Sequence, residues 1–376
     1  MKVELTLGRE IPVTSRILVA MSGGVDSALT AVLLRREGFE CVGINMRTYH
    51  PNEADVASGR KFQTCCSPED AGDARAVALG EDFPFYVLDL EKEFHAAVVQ
   101  PFIRNYLQGL TPNPCVLCNN HLKLGVLLEK ARLYGCDYVA TGHYARVIEN
   151  GVTGRTELHR AADLSKDQTY YLFGLRQDQL QRFICPLGGL QKSTVRQLAR
   201  EYGLEVAEKP DSMEICFVPG NDYRTFLRGK VEAEAIQPGA IVTIDGDVLG
   251  RHEGIAFYTI GQRKGLGISS ATPMYVVDIL PEENLVVVGA AEQTMSDGLV
   301  CERMNWVAIE SPRLAIEASA QIRYRHAAAP CVVTPLTDGR FEVRFQERQR
   351  SVTPGQAVVF YEGDSVLGGG WIVSRI

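Results

Sequence analysis

The first half of the chain alternates short apolar runs with amphipathic patterns of helical period. The apolar runs that predict strands cover 17–21, 41–46, 85–90 and 138–141. The segments that predict helices cover 28–37, 67–80, 91–107, 122–134 and 193–202. Ser67, followed by Pro68 and two acidic residues, is typical of a helix start. This alternation predicts an α/β domain whose parallel sheet is covered by helices.

The second half of the chain has a different pattern. After about Cys216 the helical patterns fade, and short strand patterns follow between glycine-containing turns. Asp338-Gly339 lies between alternating runs at 331–336 and 341–345, which predicts a β-hairpin. The second half is therefore expected to be mostly antiparallel β. We predict an α/β domain, a small central linking domain and a C-terminal antiparallel β-barrel, over 1–215, 216–282 and 283–376.

The composition is that of an ordinary globular protein. Of the 376 residues, 45% are hydrophobic and 23% are charged, which excludes a disordered tail, a collagen-like repeat or a disulfide miniprotein. No apolar run of about 18 residues is present, and the first 16 residues do not resemble a secretory signal. We therefore expect a cytoplasmic protein with no membrane partner, whose ten cysteines are reduced thiols.

The net charge of −7 argues against a strongly basic nucleic-acid coat protein. It does not exclude RNA binding, because a local basic face is sufficient. Residues 321–350 contain six arginines and three acidic residues, a local charge of +3. Such a patch suits the binding of a phosphate backbone.

The most informative motif is Ser22-Gly23-Gly24-Val25-Asp26-Ser27, between a predicted strand and a predicted helix. The glycines permit a tight turn and a close approach of a ligand to the backbone. The N–H groups at the start of the following helix attract an anion. An ordinary strand–helix turn is the alternative, but the whole hexapeptide in this setting favours phosphate binding. It matches neither the Walker A loop nor the Rossmann glycine pattern.

Cys115 and Cys118 form a single C-x-x-C after the extended segment Thr111-Pro112-Asn113-Pro114. A zinc ribbon needs a second such pair, which the sequence lacks. A helix that starts after the pair would lower the pKa of a cysteine thiol and make it a better nucleophile at neutral pH. The alternative is that both cysteines are buried and only pack in the core.

Cys216 lies where the pattern changes from α/β to β, and active clefts form at domain junctions. A small buried residue is the alternative. Cys65 and Cys66 have no spacing that indicates a role, and packing or loop thiols are expected there.

Several motifs in order resemble the family of tRNA-specific 2-thiouridylases. They are SGGVDS, TPNPCVLCN, ATGHYAR (140–146), SKDQTYYL (165–172), DSMEICF (211–217), TIGQRKGLG (259–267), RYRH (323–326) and TPGQAVVFYEG (353–363). The resemblance covers nearly the whole chain. It implies that 1–215 is an ATP-binding and catalytic domain with a PP-loop, the loop of enzymes that split ATP into AMP and pyrophosphate.

The resemblance also implies the reaction. Such enzymes replace the C2 oxygen of the wobble uridine, in the anticodon region of tRNA, with sulfur. ATP adenylates this oxygen, Mg²⁺ neutralises the departing pyrophosphate, and sulfur displaces AMP. In the family scheme, Cys216 carries a persulfide. It receives this sulfur from a cysteine desulfurase or a sulfur-relay protein. Cys118 then assists, either through a transient Cys118–Cys216 disulfide or as the nucleophile.

The resemblance assigns further residues by position. Those implied to bind ATP are Ala20, Met21, Ser22, Gly23, Gly24, Val25, Asp26, Ser27, Met46 and Gly142. Those implied to contact tRNA are Asn113, Pro114, Cys115, His143, Lys166, Asp167, Gln168, Arg323, Tyr324 and Gln356. An aromatic residue beside arginine, as at Tyr324, could also stack on an unpaired base.

Cys115 departs from many family members, which have aspartate at this position. Cys115, Cys118 and Cys216 therefore form a set of three thiols that could hold an iron–sulfur cluster with one open iron. Such an iron could deliver hydrosulfide, which competes with the persulfide scheme. Both schemes stay open, and both need these cysteines. Another PP-loop activity and a non-catalytic RNA-binding protein are the alternative functions.

Overall fold

In a computed structural model, the structure describes residues 7–49, 67–211 and 215–376. Cys65 and Cys66 lie outside the described residues. The chain divides into two compact units. The first consists of the described residues up to Val98, Cys115–Asn221 and Gly363–Val366. The second consists of Val99–Pro114, Asp222–Glu362 and Leu367–Ile376.

The helices follow the predicted pattern closely. In chain order they are α1 (Val25–Arg36), α2 (Pro68–Gly80), α3 (Glu91–Phe94), α4 (Gln100–Leu107), α5 (Pro114–Leu117), α6 (Leu127–Leu133), α7 (Gln177–Leu180), α8 (Lys192–Glu201) and α9 (Tyr223–Arg228). Two π-helical segments are His95–Val99 and Cys118–Val126. Short 3-10 turns are Thr169–Tyr171, Glu205–Glu208, Pro219–Asn221, Ala233–Ala235, Ile255–Phe257 and Ala291–Thr294. The predicted start of α2 is confirmed, because Ser67 and Asp70 cap it reciprocally.

The first unit contains a five-stranded parallel sheet. Its strands are β1 (Arg16–Ala20), β2 (Glu40–Arg47), β3 (Phe85–Asp89), β4 (Tyr138–Ala140) and β7 (Phe183–Ile184), in the order β3-β2-β1-β4-β7. A hairpin of β5 (Arg146–Glu149) and β6 (Thr156–His159) follows β4. The central strand β1 is apolar, and Ile17, Leu18 and Val19 are fully buried. This confirms the predicted α/β sheet.

The second unit contains the β structure. The strands of a small four-stranded sheet are β8 (Gly239–Thr243), β9 (Val248–His252), β10 (Tyr275–Leu280) and β11 (Leu285–Gly289). The strands of the C-terminal part are β12 (Met295–Trp306), β13 (Ile316–Gln321), β14 (Ala329–Pro335), β15 (Phe341–Arg350), β16 (Ala357–Glu362) and β17 (Ser365–Arg375). β12 pairs with both β15 and β17, which closes these six strands into an antiparallel barrel. The predicted barrel is confirmed, and the Asp338-Gly339 hairpin joins β14 to β15. The predicted borders at 215 and 282 stay predictions.

Candidate nucleotide and cysteine site

A tight turn, Ser22–Ser27, connects β1 to α1. The Ser27 hydroxyl holds it: Ser27 Oγ donates to Gly24 O at 3.1 Å and accepts from Ser22 N at 3.1 Å. Gly24 is the N-cap of α1, and no side chain caps the helix there. The first N–H groups of α1 are therefore available to an anion, as a phosphate site requires.

Gly23 could not be replaced by a larger residue without distortion. Its φ is +75°, and an added Cβ would lie 2.2 Å from the carbonyl oxygen of Asp70 on α2. Lys209 Nζ donates to Gly23 O at 3.1 Å. Because a trans peptide points its C=O and N–H in opposite directions, this bond turns the Gly24 N–H away from Lys209.

Gly142 packs directly against the start of α1. An added Cβ would lie 2.8 Å from the backbone carbon of Asp26 and 2.9 Å from the nitrogen of Ser27. The structure therefore brings Gly142 together with the Ser22–Ser27 turn (the candidate phosphate turn), although they are far apart in sequence.

Asp26 carries the negative charge of this turn. Lys192 Nζ lies 2.7 Å from both carboxylate oxygens of Asp26, and the Tyr144 hydroxyl donates to Oδ1 at 2.8 Å. Only 11% of the Lys192 side chain is exposed. A nearly buried ammonium is thus neutralised by the carboxylate of the candidate nucleotide loop.

A second carboxylate, Asp211, extends this ionic network. It pairs with Lys166 at 2.7 Å and with Lys192 and Arg196 at 2.9 Å. Burial opposes ionisation of Asp211, yet hydrogen bonds from Lys166 and Lys192 outweigh it and lower the pKa of Asp211 to about 2. Asp211 is therefore ionised at neutral pH. Lys166, a predicted tRNA contact, is one of its partners.

The sequence-predicted residues Ala20 and Met21 lead directly into the turn, and Met46 lies on the neighbouring strand β2. Ala20 ends β1, and Met21 follows it, almost fully buried. Met46 is a partly exposed residue of β2. Its neighbour Asn45 is buried and donates to Met21 O at 2.9 Å, while Asn45 Oδ1 has no partner among the described residues.

The other predicted tRNA contacts of this unit are mostly internal. His143 is buried, its Nδ1 lies 2.6 Å from Thr141 Oγ1, and burial and then Lys123 hold its pKa well below the ordinary value. Asp167 accepts the N–H of Ala161 at 3.0 Å and the guanidinium of Arg160 at 2.9 Å. These contacts fix the backbone around the site.

Gln168 supports the residue that contacts Asp26. Its Oε1 accepts the N–H of Tyr144 at 2.9 Å, and its own N–H donates to Tyr144 O at 2.9 Å. Since the Tyr144 hydroxyl binds Asp26, Gln168 acts on the phosphate turn through Tyr144.

The C-x-x-C pair lies inside a helix and not before one. Helical backbone begins with α5 at Pro114 and continues through the π-helical segment that starts at Cys118. The predicted start at Leu122 was late, because a proline is well tolerated at the first helical position. Residues three apart lie on one helix face, so Cys115 and Cys118 are neighbours.

The acidity of Cys115 differs from the sequence-based expectation. Burial of its thiol and then the proximity of Cys118 raise the pKa of Cys115 to about 11, and nearby Lys123 opposes this only in part. Desolvation therefore outweighs any effect of the helix start. At neutral pH the Cys115 thiol is protonated.

Cys216 follows the short segment 212–214, which lies outside the described residues. It is partly exposed, whereas the next residue, Phe217, is buried with its ring edge-on to Phe94 at 5.4 Å. Among the cysteines in the described residues, no disulfide forms. Nor do the described histidines, cysteines and acidic residues form any group of three that could hold a metal ion.

The second unit has its own cavity of about 690 Å³. Its lining includes three residues predicted to contact tRNA, namely Arg323, Tyr324 and Gln356. Arg224 and Lys264 also line it, and no acidic residue is among its lining residues in the described ranges. A cavity with basic and aromatic walls suits phosphate and base contacts.

Gln356 also holds the segment that leads to the cysteines. Its Nε2 donates to Thr111 O at 3.1 Å and to Pro112 O at 3.2 Å, and Thr111 N donates to Pro354 O at 3.0 Å. Asn113 and Pro114 follow this segment and are buried. The barrel loop therefore fixes the backbone just before Cys115.

Comparison with known proteins identifies the family. The model described as tRNA methyl transferase HUP domain matches residues 15–220, the tRNA methyl transferase PRC-barrel domain matches 224–290, and the aminomethyltransferase beta-barrel domain matches 296–372. A relative from Geotalea uraniireducens named tRNA-specific 2-thiouridylase MnmA is 51% identical over 95% of this chain and 94% of its own length. The chain belongs to the MnmA family of tRNA-specific 2-thiouridylases.

Two further members of the MnmA family support this assignment. The protein of the same name from Geobacter metallireducens is 52% identical over 95% of this chain and 96% of its own length. The protein from Carboxydothermus hydrogenoformans is 48% identical over 96% of this chain and 98% of its own length. These matches span whole proteins, whereas the methyl transferase descriptions belong to single domains.

Sequence reasoning assigned no role to several residues of this MnmA site. They are Tyr144, Lys192, Lys209 and Asp211. One signal was present: Lys192 stands in the first turn of α8, where the helix dipole disfavours a positive charge. A lysine in that place suggests a carboxylate partner elsewhere in the chain.

Proposed function

We propose that this protein catalyses the ATP-dependent 2-thiolation of the wobble uridine of tRNA. The observation that carries the proposal is the uncapped start of α1, cradled by Gly142, in the same unit as Cys118 and Cys216. ATP is the nucleotide, and its phosphates bind the N–H groups behind Gly23 and Gly24.

The first step transfers AMP to the substrate. The C2 oxygen of uracil attacks the α-phosphorus of ATP, the bond to the β-phosphate breaks, and pyrophosphate leaves. The N–H groups of α1 hold the departing pyrophosphate. Mg²⁺ binds proteins through one or two carboxylates together with substrate phosphates. Asp26 is the carboxylate of this turn that would hold it, and Mg²⁺ would then share this carboxylate with Lys192, which pairs with both of its oxygens. When bound, Mg²⁺ would neutralise phosphate charge.

The second step inserts sulfur. The outer sulfur of a Cys216 persulfide attacks C2, and AMP leaves as the C2–O bond breaks. Cys118 then attacks the inner sulfur, which releases the 2-thiouridine and forms a Cys118–Cys216 disulfide. A cellular thiol reductant restores both thiols, and a cysteine desulfurase or sulfur-relay protein restores the persulfide.

The iron–sulfur scheme stays a prediction. Cys115, Cys118 and Cys216 are not grouped as metal ligands in the described residues, so we derive no step through a cluster. Anaerobic purification followed by iron and sulfide assays tests it directly. A coloured protein with stoichiometric iron would favour the cluster over the persulfide.

The tRNA is held in part by the cavity of the second unit. Its three basic side chains, Arg224, Lys264 and Arg323, provide the local positive charge that an acidic protein needs to bind RNA. The anticodon region supplies the target base, near Asn113, Pro114 and Cys115.

One assay tests the proposed function. The purified protein is incubated with tRNA, ATP and a sulfur source, and the digested tRNA is analysed for 2-thiouridine by mass spectrometry. We expect thiouridine only when ATP is present and only in tRNA with uridine at the wobble position. If AMP forms without thiouridine, the protein has another PP-loop activity and this proposal is wrong. If tRNA binds but no AMP forms, the protein is an RNA-binding protein without this activity.

A further inference from the structure

We propose that Gln179 is a positioning residue that holds the segment Cys118–Val126 in its π-helical form and thereby sets the direction of the Cys118 side chain. The inference rests on the proposed function, in which Cys118 acts in the last chemical step. Two observations carry it, namely the hydrogen bonds of Gln179 and the close fit of Gly125.

The segment that begins at Cys118 is an unusual helix. Its nine residues, Cys118–Val126, are π-helical and lie between α5 and α6. At its end the N–H of Leu127 donates to Leu122 O, five residues earlier, instead of four as in an α-helix. Because π-helices occur mostly as single turns, a run of this length needs stabilising contacts from outside the helix.

Gln179 supplies such contacts. It lies on α7, and only 3% of it is exposed. Its Nε2 donates to Asn120 O at 3.2 Å and to Leu124 O at 2.5 Å, so both N–H groups of the amide are used. Its Oε1 accepts the N–H of Arg176 at 2.9 Å, which fixes the orientation of the amide. One buried side chain thus bridges two carbonyl groups of the π-helical segment.

Gly125 is fitted to the same form of the helix. An added Cβ would lie 2.9 Å from Asn120 O, the carbonyl five residues earlier that Gln179 also binds. Neither atom belongs to a flexible side chain, so the backbone would have to move. Because alanine also favours an α-helix more than glycine does, Gly125→Ala should act against the π-helical form, as loss of Gln179 does.

The two residues after Cys118 are held as well. Asn119 Nδ2 donates to Tyr171 O at 3.2 Å. An added Cβ on Gly174 would lie 2.0 Å from Asn120 Nδ2, so the Asn120 side chain packs directly on the Gly174 backbone. The backbone next to Cys118 is therefore fixed by side-chain contacts from both of its following residues.

The helical form decides where Cys118 points. Leu122 and Leu124 are fully buried, so they keep the later part of the segment in place. A slip of one residue from the π-helical to the α-helical form would then turn Cys118 by about 100° around the helix axis. Since a misplacement of about 1 Å can already lower a rate about 100-fold, such a rotation would remove Cys118 from the reaction.

The step that needs Cys118 comes after AMP has left. At that stage the transferred sulfur joins C2 of the uracil to Sγ of Cys216. The Cys118 thiolate attacks this Sγ, the bond between the two sulfurs breaks, and the electron pair leaves on the sulfur of 2-thiouridine. If Cys118 points elsewhere, this tRNA–protein adduct accumulates while AMP transfer continues.

The test is a single turnover with tRNA and ATP and without reductant, after a cysteine desulfurase and free cysteine have loaded the persulfide. For Gln179→Met, which keeps the length but not the amide, we expect release of thiolated tRNA to slow roughly 10- to 100-fold. Pyrophosphate release should change less than about threefold, because the hydrogen bonds of Gln179 lie on Arg176 and the π-helical segment.

A non-reducing denaturing gel should show the adduct in this variant, and dithiothreitol should release thiolated tRNA from it, since an added thiol can replace the attack by Cys118. Cys118→Ala should give the same adduct. Gln181→Met is the matched control, because Gln181 is an exposed glutamine two residues further along. It should release thiolated tRNA at the wild-type rate.

Gly125→Ala gives a second test if Gln179→Met does not fold, and the same adduct is expected. The proposal is overturned if the variant releases thiolated tRNA at close to the wild-type rate, if pyrophosphate release falls in parallel, or if no adduct forms. A wild type that makes no 2-thiouridine refutes the proposed function instead.

Discussion

Gly142→Ala tests whether the phosphate turn and the segment after β4 form one rigid cradle. The added methyl group would lie 2.8 Å from the backbone carbon of Asp26, whereas ordinary contact begins at 3.4 Å, so the backbone must move by about 0.6 Å. The atoms in the way belong to backbone at the start of α1, which cannot rotate aside. Overpacking of this kind costs about 1–3 kcal/mol.

This displacement falls on the N–H groups that we propose bind phosphate. A shift approaching 1 Å at a catalytic centre can lower rates about 100-fold, so we expect ATP-dependent pyrophosphate release to fall by roughly 10- to 100-fold. Binding of tRNA, measured without ATP, should stay unchanged. The melting temperature should fall by about 2–4 °C for each kcal/mol lost.

Gly189→Ala is the control, because an added Cβ there meets no atom within 4 Å. It should keep wild-type rates and stability. The cradle is refuted if Gly142→Ala has both kcat and KM for ATP within twofold of the wild type while its melting temperature is unchanged.

The remaining predictions concern single side chains. Cys216→Ala should abolish 2-thiouridine formation while ATP still binds, as measured by calorimetry; retained thiolation would remove Cys216 from the mechanism. Asp26→Ala should lower tRNA-dependent AMP formation about 100-fold, because it removes the carboxylate that Lys192 neutralises in this turn; unchanged AMP formation would contradict this. The rate of Cys115 alkylation, followed by peptide mass spectrometry, should still be rising at pH 11, since only about half of the thiol is ionised at its raised pKa of about 11; a plateau below pH 9 would show a more acidic thiol. Arg323→Ala should weaken tRNA binding and reduce the slope of log affinity against log salt by about one; an unchanged slope would mean that this side chain contacts no phosphate.

The helices and strands could be predicted because the sequence patterns that indicate them are local. The strand β2 and the helix α2 were predicted to within about a residue from periodicity and from the Ser67 cap. The Asp338-Gly339 turn predicted the β14–β15 hairpin in the same way. Each of these features depends on a few consecutive residues.

The ionic network could not be predicted from local patterns. Asp26 and Lys192 are 166 positions apart, and only the fold brings them together. The raised pKa of Cys115 was not predicted for a related reason. Burial of the thiol depends on side chains from elsewhere in the chain, and it raises the pKa more than the nearby helix start lowers it. Sequence pattern predicted a phosphate-binding role for the Ser22–Ser27 turn, but only tertiary contacts show which residues hold that turn.

The path of the chain through the two units affects how the protein is synthesised. Val99–Pro114 belongs to the second unit, but Cys115–Asn221, which is 107 residues of the first unit, is made before the next part of the second. In the finished protein, Phe102 packs against Phe226 and Tyr106 stacks on Tyr223. At about 5–20 residues per second, α4 leaves the ribosome roughly 5–20 seconds before these partners exist. During translation its apolar face therefore stays uncovered by these partners, and a cut of the gene between Asn221 and Asp222 would leave the barrel unit without this helix.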